Sequence, residues 1–372
     1  MRPAGRYGEG RIMRIAIAGT KEIPAHHGGF ETCVEEVSTR LVERGHEVVL
    51  YYRSNTDQGS CYRGVRMVRV PELENKYLAT LFSTLLSILS VATKRVDVVH
   101  IYGVGNSVLV PLLRAVSKKT VISVDALDWK RSKWNRFASW YLRMAERVAS
   151  LYADRVVVDN NVVGRYYRER FGKRTDFVPY GSNILRCEES TALRKYDLKP
   201  RGYFLFVGRL KPEKGVHRLI EAYQDLNTDK ALAIVGDDPF SQEYIQSLKK
   251  TRSPGIKFLG YVYGDEYRQL SSHAYAYVTA SEVEGTSPAL VAAMGFGNCV
   301  LVNSIEENLE TIGDAGLTFC RNDIEDLRRQ LQHLNDHPEV VAEYRHRARK
   351  RVAEHYNWDA VTDQLERIYS SL

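Results

Sequence analysis

A length of 372 residues calls for two domains rather than one. With 44% hydrophobic, 27% charged and 10% aromatic residues, the chain lies outside the compositions of disordered, collagen-like and coiled-coil proteins. Its 53 Lys and Arg against 46 Asp and Glu leave a net charge of +7, a basic excess that suits phosphates or an anionic membrane surface and falls short of a nucleic-acid footprint. The five cysteines, Cys33, Cys61, Cys187, Cys299 and Cys320, are odd in number, scattered and without a C-x-x-C pair, which indicates neither a disulfide framework nor a zinc site and fits a reducing cytosol.

Residues 1–12 are polar and Gly-rich, have no apolar signal-peptide core, and are expected to be a disordered extension. From Met13 the order is a strand (MRIAIAGT), a loop ending in His26-His27-Gly28-Gly29, a helix to Arg44 and a strand (HEVVLYYR), which makes one βαβ unit. In that helix Phe30, Cys33, Val34, Val37 and Leu41 form one apolar face, and Glu31, Glu35 and Glu36 sit in the turns where the dipole favours acid. The uncharged run between Lys76 and Lys94 is shorter than the roughly 20 residues of a spanning helix and predicts a buried or partly exposed helix. The alternative is a monotopic surface leaning on lipid, with Lys76, Lys94 and Arg95 at the head groups.

Short apolar runs at 96–103, 119–126 and 153–160 predict strands buried on both faces of a parallel sheet. The polar, turn-rich stretch from Pro179 to Pro200 marks a boundary, dividing an N-terminal domain (13–185) from a C-terminal one (186–355). A second alternating series follows: YFLFVGRL, a helix from Gly215, ALAIVGDD, IKFLGYV, AYAYVTA, a helix from Pro288, and CVLVNS. Helices close the chain, and the last (356–372) is expected to pack back on the N-terminal domain. The basic run Arg345 to Arg351 reads as a solvated face, with anionic lipid as the alternative. The fold class is α/β, two doubly wound Rossmann-like halves, expected to face each other across a cleft.

In open parallel sheets ligands bind beyond the carboxyl ends of the strands. Gly28 and Gly29 lie between the first strand and a helix start, where missing side chains let the backbone approach a phosphate; a tight packing turn is the plainer reading. The loop is not G-x-G-x-x-G, which disfavours a nicotinamide dinucleotide. Gly208 and Arg209 directly follow the strand YFLFV, and Lys214 lies five residues on, just before a helix; an Arg fork and a Lys point charge suit a diphosphate. In SEVEGTSPALVAAM, Ser287 is the expected N-cap and Pro288 the first helical residue. Glu282 and Glu284 just before it either accept hydrogen bonds from sugar hydroxyls or serve the helix dipole.

With these residues assembled, the chain resembles the retaining glycosyltransferases of family 4, of the GT-B fold, from Met13 to the C-terminus. GTKEIPAHHGGFET, FVGRLKPEKG and EGTSPALVAAMGFGNCV match the order and spacing of that family's glycine loop, its Arg/Lys phosphate clamp and its E-x7-E region. VDALDWKRSKW, VPYGSN and VYGDEY resemble the branch of bacterial rhamnosyltransferases that build surface polysaccharides. The resemblance implies transfer of a sugar from a nucleotide diphosphate donor to a glycan or lipid-linked acceptor, with retention, no required metal and no other cofactor. It places Gly28 and Gly29 with Gly208, Glu282, Gly285, Thr286, Ser287 and Pro288 around the donor, and Arg209, Lys214 and Glu284 at the reacting bond. Asp125 stands where many relatives carry a histidine near the donor sugar; a turn carboxylate is its plainer reading. The run Asp128-Trp129-Lys130-Arg131 with Lys133 and Trp134 interleaves rings and cations that either present an acceptor or open an amphipathic helix.

One position departs from the family pattern. Where the second glutamate is expected, eight residues after Glu284, the chain has Ala292, so ribose binding falls to another group such as Glu310 or is weakened. A cytosolic enzyme working at the membrane, with rhamnose from dTDP as the first expectation and UDP- or GDP-sugars next, is the resulting reading. A catalytically weakened binding subunit of a polysaccharide assembly complex is the alternative that Ala292 motivates, and a nucleotide-sugar epimerase or sugar phosphorylase of similar architecture is the other.

Overall fold

In a computed structural model, residues 11–21, 23–24, 29–54, 59–71, 73, 79–130, 134–251 and 253–372 are described. Most of the expected extension, Gly28, Lys76, Arg131 and Lys133 lie outside them, while Arg11 is described and pairs with Asp97 at 2.8 Å. The chain divides into two units, Met1–Pro179 with Trp358–Leu372, and Tyr180–Asn357.

In the first unit the apolar runs pair as parallel strands because each is buried on both faces and needs helices to cover it. The elements are β1 (Arg14–Thr20), α1 (Gly29–Glu43), β2 (Glu47–Arg53), β3 (Cys61–Tyr62), β4 (Val65–Val70), α2 (Ala79–Ala92), β5 (Val98–Tyr102), α3 (Val110–Ala115), β6 (Lys119–Val124), α4 (Arg136–Tyr152), β7 (Arg155–Val158), α5 (Asn161–Phe171) and β8 (Asp176–Phe177). Strand order is β3-β4-β2-β1-β5-β6-β7-β8, parallel throughout except for the antiparallel β3–β4 pair. The order reverses at β1, which pairs with β2 on one side and β5 on the other.

The C-terminal helix, Trp358–Ser370, packs on α1. Arg44 donates from Nη1 to Glu366 at 2.7 Å and also pairs with Asp363, and Arg40 pairs with Asp359 at 3.1 Å. Tyr369 Oη lies 2.6 Å from Nδ1 of the buried His100, whose Nε2 lies 2.8 Å from Ser123 Oγ. Burial pushes the His100 imidazolium down to about 3, so the ring is neutral at physiological pH.

α2 is buried in part and exposed in part, as the sequence predicts, with Ala79, Ile88 and Val91 buried. Ser83, Thr84 and Ser87 are buried, their hydroxyls donating to carbonyls of the preceding turn (to Thr80 at 3.0 and 2.7 Å, and to Ser83 at 2.7 Å), while Leu89 is exposed. Small, internally satisfied side chains let the helix lie close against the sheet. Among the described residues no helix is long and apolar enough to cross a membrane.

The second unit comprises β9 (Tyr203–Val207), α6 (Val216–Gln224), β10 (Ala231–Val235), α7 (Gln242–Lys249), β11 (Ile256–Gly260), α8 (Gly264–His273), β12 (Ala276–Thr279), α9 (Pro288–Gly295), β13 (Cys299–Asn303), α10 (Glu306–Ile312), β14 (Leu317–Phe319), α11 (Ile324–Asp336) and α12 (Pro338–His355). Its six strands run β11-β10-β9-β12-β13-β14, all parallel. Two apolar clusters cover the two faces, one built on Phe204, Phe206 and Ile234 and the other on Leu205, Ala233 and Val300, as alternate residues of the same strands require. The basic run on α12 is the predicted solvated face only in part: His346, Arg347 and Lys350 are exposed, while other arginines turn to the protein. Arg351 donates to the carbonyls of Thr311 and Glu310, both at 2.6 Å, and Arg345 to that of Ala274 at 3.3 Å, so these guanidiniums satisfy loop carbonyls of their own unit.

Candidate functional site

Strand order in the second unit reverses between β9 and β12, so the segments leaving their carboxyl ends flank a topological switch point. These are the segments that carry the expected clamp. After β9 come Gly208 and Arg209, then a short 3-10 turn, Pro212–Lys214, and α6. After β12 comes the Ser281–Ser287 segment, leading into α9.

Two glycines allow this crowding. Gly215 has φ +66, and a Cβ there would lie 2.2 Å from the Ala280 carbonyl oxygen; a Cβ on Gly236, after β10, would lie 1.9 Å from that of Gly208. The loops are locked by backbone bonds, Glu282 N–H to the Glu213 carbonyl at 2.9 Å and Gly208 N–H to that of Val235 at 3.0 Å. Asn303, at the end of β13, donates from Nδ2 to the Ser281 carbonyl at 3.0 Å.

Three ion pairs cross the loops. Lys214 Nζ donates to the buried Glu284, Arg218 Nη1 donates to Glu282, and Lys211 Nζ pairs with the buried Asp238 at 3.2 Å. Glu282 and Glu284 are thus held by cations, the option the sequence left unconsidered. Arg209 differs: it is exposed and forms no ion pair among the described residues. A charged fork held beyond a strand end without a carboxylate partner is available to an anion.

Glu284, Gly285, Thr286 and Ser287 are buried and Pro288 is exposed. Ser287 is the N-cap of α9 with Pro at its start, as the sequence predicts, but its side chain makes no capping hydrogen bond. Ala292 is half-buried on α9, and Glu310 lies on α10, its carbonyl held by Arg351.

The first unit carries the remaining expected residues. Gly29 opens α1 after β1. Asp125 follows β6, half-buried, its Oδ1 accepting the Ala126 N–H at 2.8 Å, the geometry of a turn carboxylate. Trp129 lies in a 3-10 turn, Asp128–Lys130, rather than in a helix start; α4 begins at Arg136, capped by Asn135, whose Oδ1 accepts the Ala138 N–H at 2.8 Å. The Arg143 guanidinium stacks on the Trp129 ring at 4.3 Å. Beneath them Glu146 is buried, with Tyr166 Oη donating to it at 2.9 Å. Burial pushes its carboxyl up to about 7; the hydrogen bond from Tyr166 opposes the rise, the charge of Asp128 adds to it and that of Arg143 opposes it. Sequence reading missed Glu146, Arg218, Lys211 and Asp238. The one available signal was the carboxylate pair directly after a strand in ALAIVGDD.

Among the described residues no group of three or more His, Cys, Asp or Glu is arranged to hold a metal ion. Residues 28–181 match the family model described as a glycosyl transferase 4-like domain, and residues 190–355 that described as glycosyl transferases group 1. The chain is 30% identical over 206 residues to the O-antigen chain mannosyltransferase B of Escherichia coli, covering 53% of this chain and 52% of that protein. It is 26% identical over 249 residues to a D-rhamnosyltransferase of Pseudomonas aeruginosa, covering 63% of each. The chain thus matches between half and two thirds of the length of these two relatives. The structure of Anabaena HepE in complex with UDP-glucose superposes with a TM-score of 0.79 at 17% identity, covering 97% of this chain and 100% of that one. With the two domain models in chain order and two parallel-sheet units to match, the chain belongs to the glycosyltransferases of the GT-B fold.

Proposed function

We propose that this chain transfers a sugar from a nucleotide diphosphate donor to a hydroxyl of a glycan or lipid-linked glycan acceptor, with retention at the anomeric carbon. The carrying observation is the switch point of the second unit, where Arg209, with no ion pair among the described residues, and Lys214, positioned by buried Glu284, stand beyond the strand ends. Cleaving the bond between anomeric carbon and phosphate makes the sugar oxocarbenium-like and the diphosphate more anionic. Cations fixed in advance at that place stabilise the transition state more than the ground state. The acceptor oxygen bonds to the anomeric carbon as the phosphate oxygen leaves, and the acceptor proton passes to that phosphate on the same face of the sugar. No carboxylate nucleophile and no metal enter this scheme. Rhamnose, in surface polysaccharide synthesis, is the favoured sugar and dTDP the first donor to test; VDALDWKRSKW, VPYGSN and VYGDEY and the likeness to a D-rhamnosyltransferase support the sugar.

A thermal-shift panel with dTDP, UDP, GDP and ADP, with and without chelator, tests the reading. One nucleotide is expected to raise the melting temperature regardless of chelator, by an amount corresponding to about 2.7 kcal/mol at a hundredfold excess over Kd. No shift with any nucleotide at millimolar concentration would instead favour the binding-subunit reading, which rests on the missing carboxylate at Ala292. That position gives its own prediction. Ala292→Glu, by adding a charged hydrogen-bond acceptor beside the donor, is expected to tighten nucleotide binding about tenfold in calorimetric titration. Unchanged affinity would show that α9 no longer faces the ribose.

A further inference from the structure

Arginines gather at the amino ends of the second unit's central strands. Arg201 precedes β9, Ala274 precedes β12 and Gly297 precedes β13, three strands that lie side by side, so all three positions fall on the edge of the sheet opposite Arg209 and Lys214. Strands of four or five residues put the two edges roughly 15 Å apart. Arg201 and, from α12, Arg345 each donate from Nη1 to the one carbonyl of Ala274, at 2.6 and 3.3 Å. Arg349, one turn on from Arg345, lies against Gly297, where φ is +75 and a Cβ would collide with its Nε. That Nε is buried and has no hydrogen-bond partner among the described residues.

No carboxylate answers these charges: among the described residues Arg201, Arg345 and Arg349 form no ion pair. Of the acids on the adjoining segments, Glu343 and Glu354 pair with Arg347 and Lys350, Glu188 pairs with Arg186 at 2.7 Å, and the exposed Glu189 and Glu339 pair with no cation. Desolvation of its guanidinium holds Arg201 below the usual arginine range; Tyr203 opposes this, and the like charges of Arg186 and Arg349 add to it. Arg201 is exposed and Arg345 and Arg349 are half-buried, so solvent reaches the cluster. A carbonyl is satisfied by one donor, whereas every guanidinium carries several N–H groups, so most of the donors here have no protein acceptor. Like charges held together without an acid cost stability in the free protein, and the arrangement gains once an anion with several oxygens enters it. We infer that Arg201, Arg345 and Arg349 form a binding site for a small phosphate dianion, on the edge of the sheet away from the donor diphosphate. The site is independent of the clamp and holds whichever nucleotide the clamp takes.

Scanning calorimetry of the full chain tests it, in the parent and in Arg209→Ala, where the clamp no longer competes for the anion. Replacing chloride by about 10 mM inorganic phosphate at constant ionic strength is expected to raise the melting temperature of the second unit by about 3–6 °C in both, for a Kd near 1 mM. Arg345→Gln with Arg349→Gln is expected to abolish the shift and, in chloride, to melt no lower than the parent, because relief of the crowding offsets the lost hydrogen bond. Arg347→Gln with Lys350→Gln, the same change in net charge at exposed positions of α12, is expected to keep the shift. Arg201→Gln, which leaves α12 as it is, is expected to remove about half of the shift or more. Three outcomes overturn the inference: no shift beyond that in chloride, equal losses from the two α12 pairs, or a shift in the parent that Arg209→Ala abolishes. The last would place the anion at the donor edge.

Discussion

Arg209→Ala is expected to lower kcat/KM about 10²-fold or more while leaving thermal stability within about 0.5 kcal/mol of the parent. The two halves of this expectation come from one fact: the side chain is exposed and pairs with no carboxylate among the described residues, so nothing in the free protein depends on it. A hundredfold corresponds to about 2.7 kcal/mol of transition-state stabilisation, the size of a single charge-assisted contact to the leaving group. Lys214→Ala is expected to show a similar kinetic loss together with a stability loss of about 2–3 kcal/mol, because it strands a buried Glu284. Adding Glu284→Gln to Lys214→Ala is expected to restore the stability and not the turnover. Turnover restored in that double variant would mean that Lys214 serves only to neutralise Glu284, and normal turnover in Arg209→Ala would remove Arg209 from the clamp.

The second large effect is on stability against pH. Glu146, pushed up to about 7, keeps its proton in the folded first unit over a range where the unfolded chain has lost it. Its contribution is complete below about pH 4.5 and declines as pH rises to about 7, by about 3 kcal/mol in all. His100, pushed down to about 3, acts in the other direction: below pH 6.5 the unfolded imidazole takes up a proton that the folded one refuses, so stability falls on acidification. Between about pH 4.5 and 6.5 the two slopes cancel. Glu146→Gln keeps an acceptor for Tyr166 and removes the first slope, so the variant is expected to gain about 1.4 kcal/mol per pH unit across that window and to exceed the parent by up to about 3 kcal/mol above pH 7. Denaturant unfolding followed by tryptophan fluorescence reads this out for one unit, since Trp129, Trp134, Trp140 and Trp358 all belong to the first. A parent and variant with parallel pH profiles would mean that Glu146 ionises at its ordinary value.

Much of the sheet architecture was legible because a parallel strand buried on both faces leaves an uninterrupted apolar run, as in VDVVHIYG, ALAIVGDD and CVLVNS. Strands of two or three residues, β3, β8 and β14, leave no such run, and the sequence did not show them. α2 is the partly buried helix its run of uncharged residues predicts, but which side it buries was not legible, because Ser83, Thr84 and Ser87, whose hydroxyls bond their own backbone, share the buried side with Ile88 and Val91. At the candidate site, strand ends and helix starts placed Gly208, Arg209, Lys214, Ser287 and Pro288 in the chain. What they could not give was partnership. Lys214 finds Glu284 and Arg218 finds Glu282 across separations of 70 and 64 residues, set by the β9–β12 neighbourhood rather than by anything local.

The chain leaves the first unit after Pro179 and returns to it at Trp358, and the two passages run side by side, with Ser182 N–H donating to the Tyr356 carbonyl at 2.6 Å and Ser182 bridging to Asn357. The second unit is therefore an insertion within the first. On the ribosome the strands of the first unit emerge early, but the helix that covers α1 and holds His100 is made only after the second unit, so the second unit completes its fold while the first still waits for this piece. A chain cut after Asn357 would carry an intact insertion inside an unfinished host.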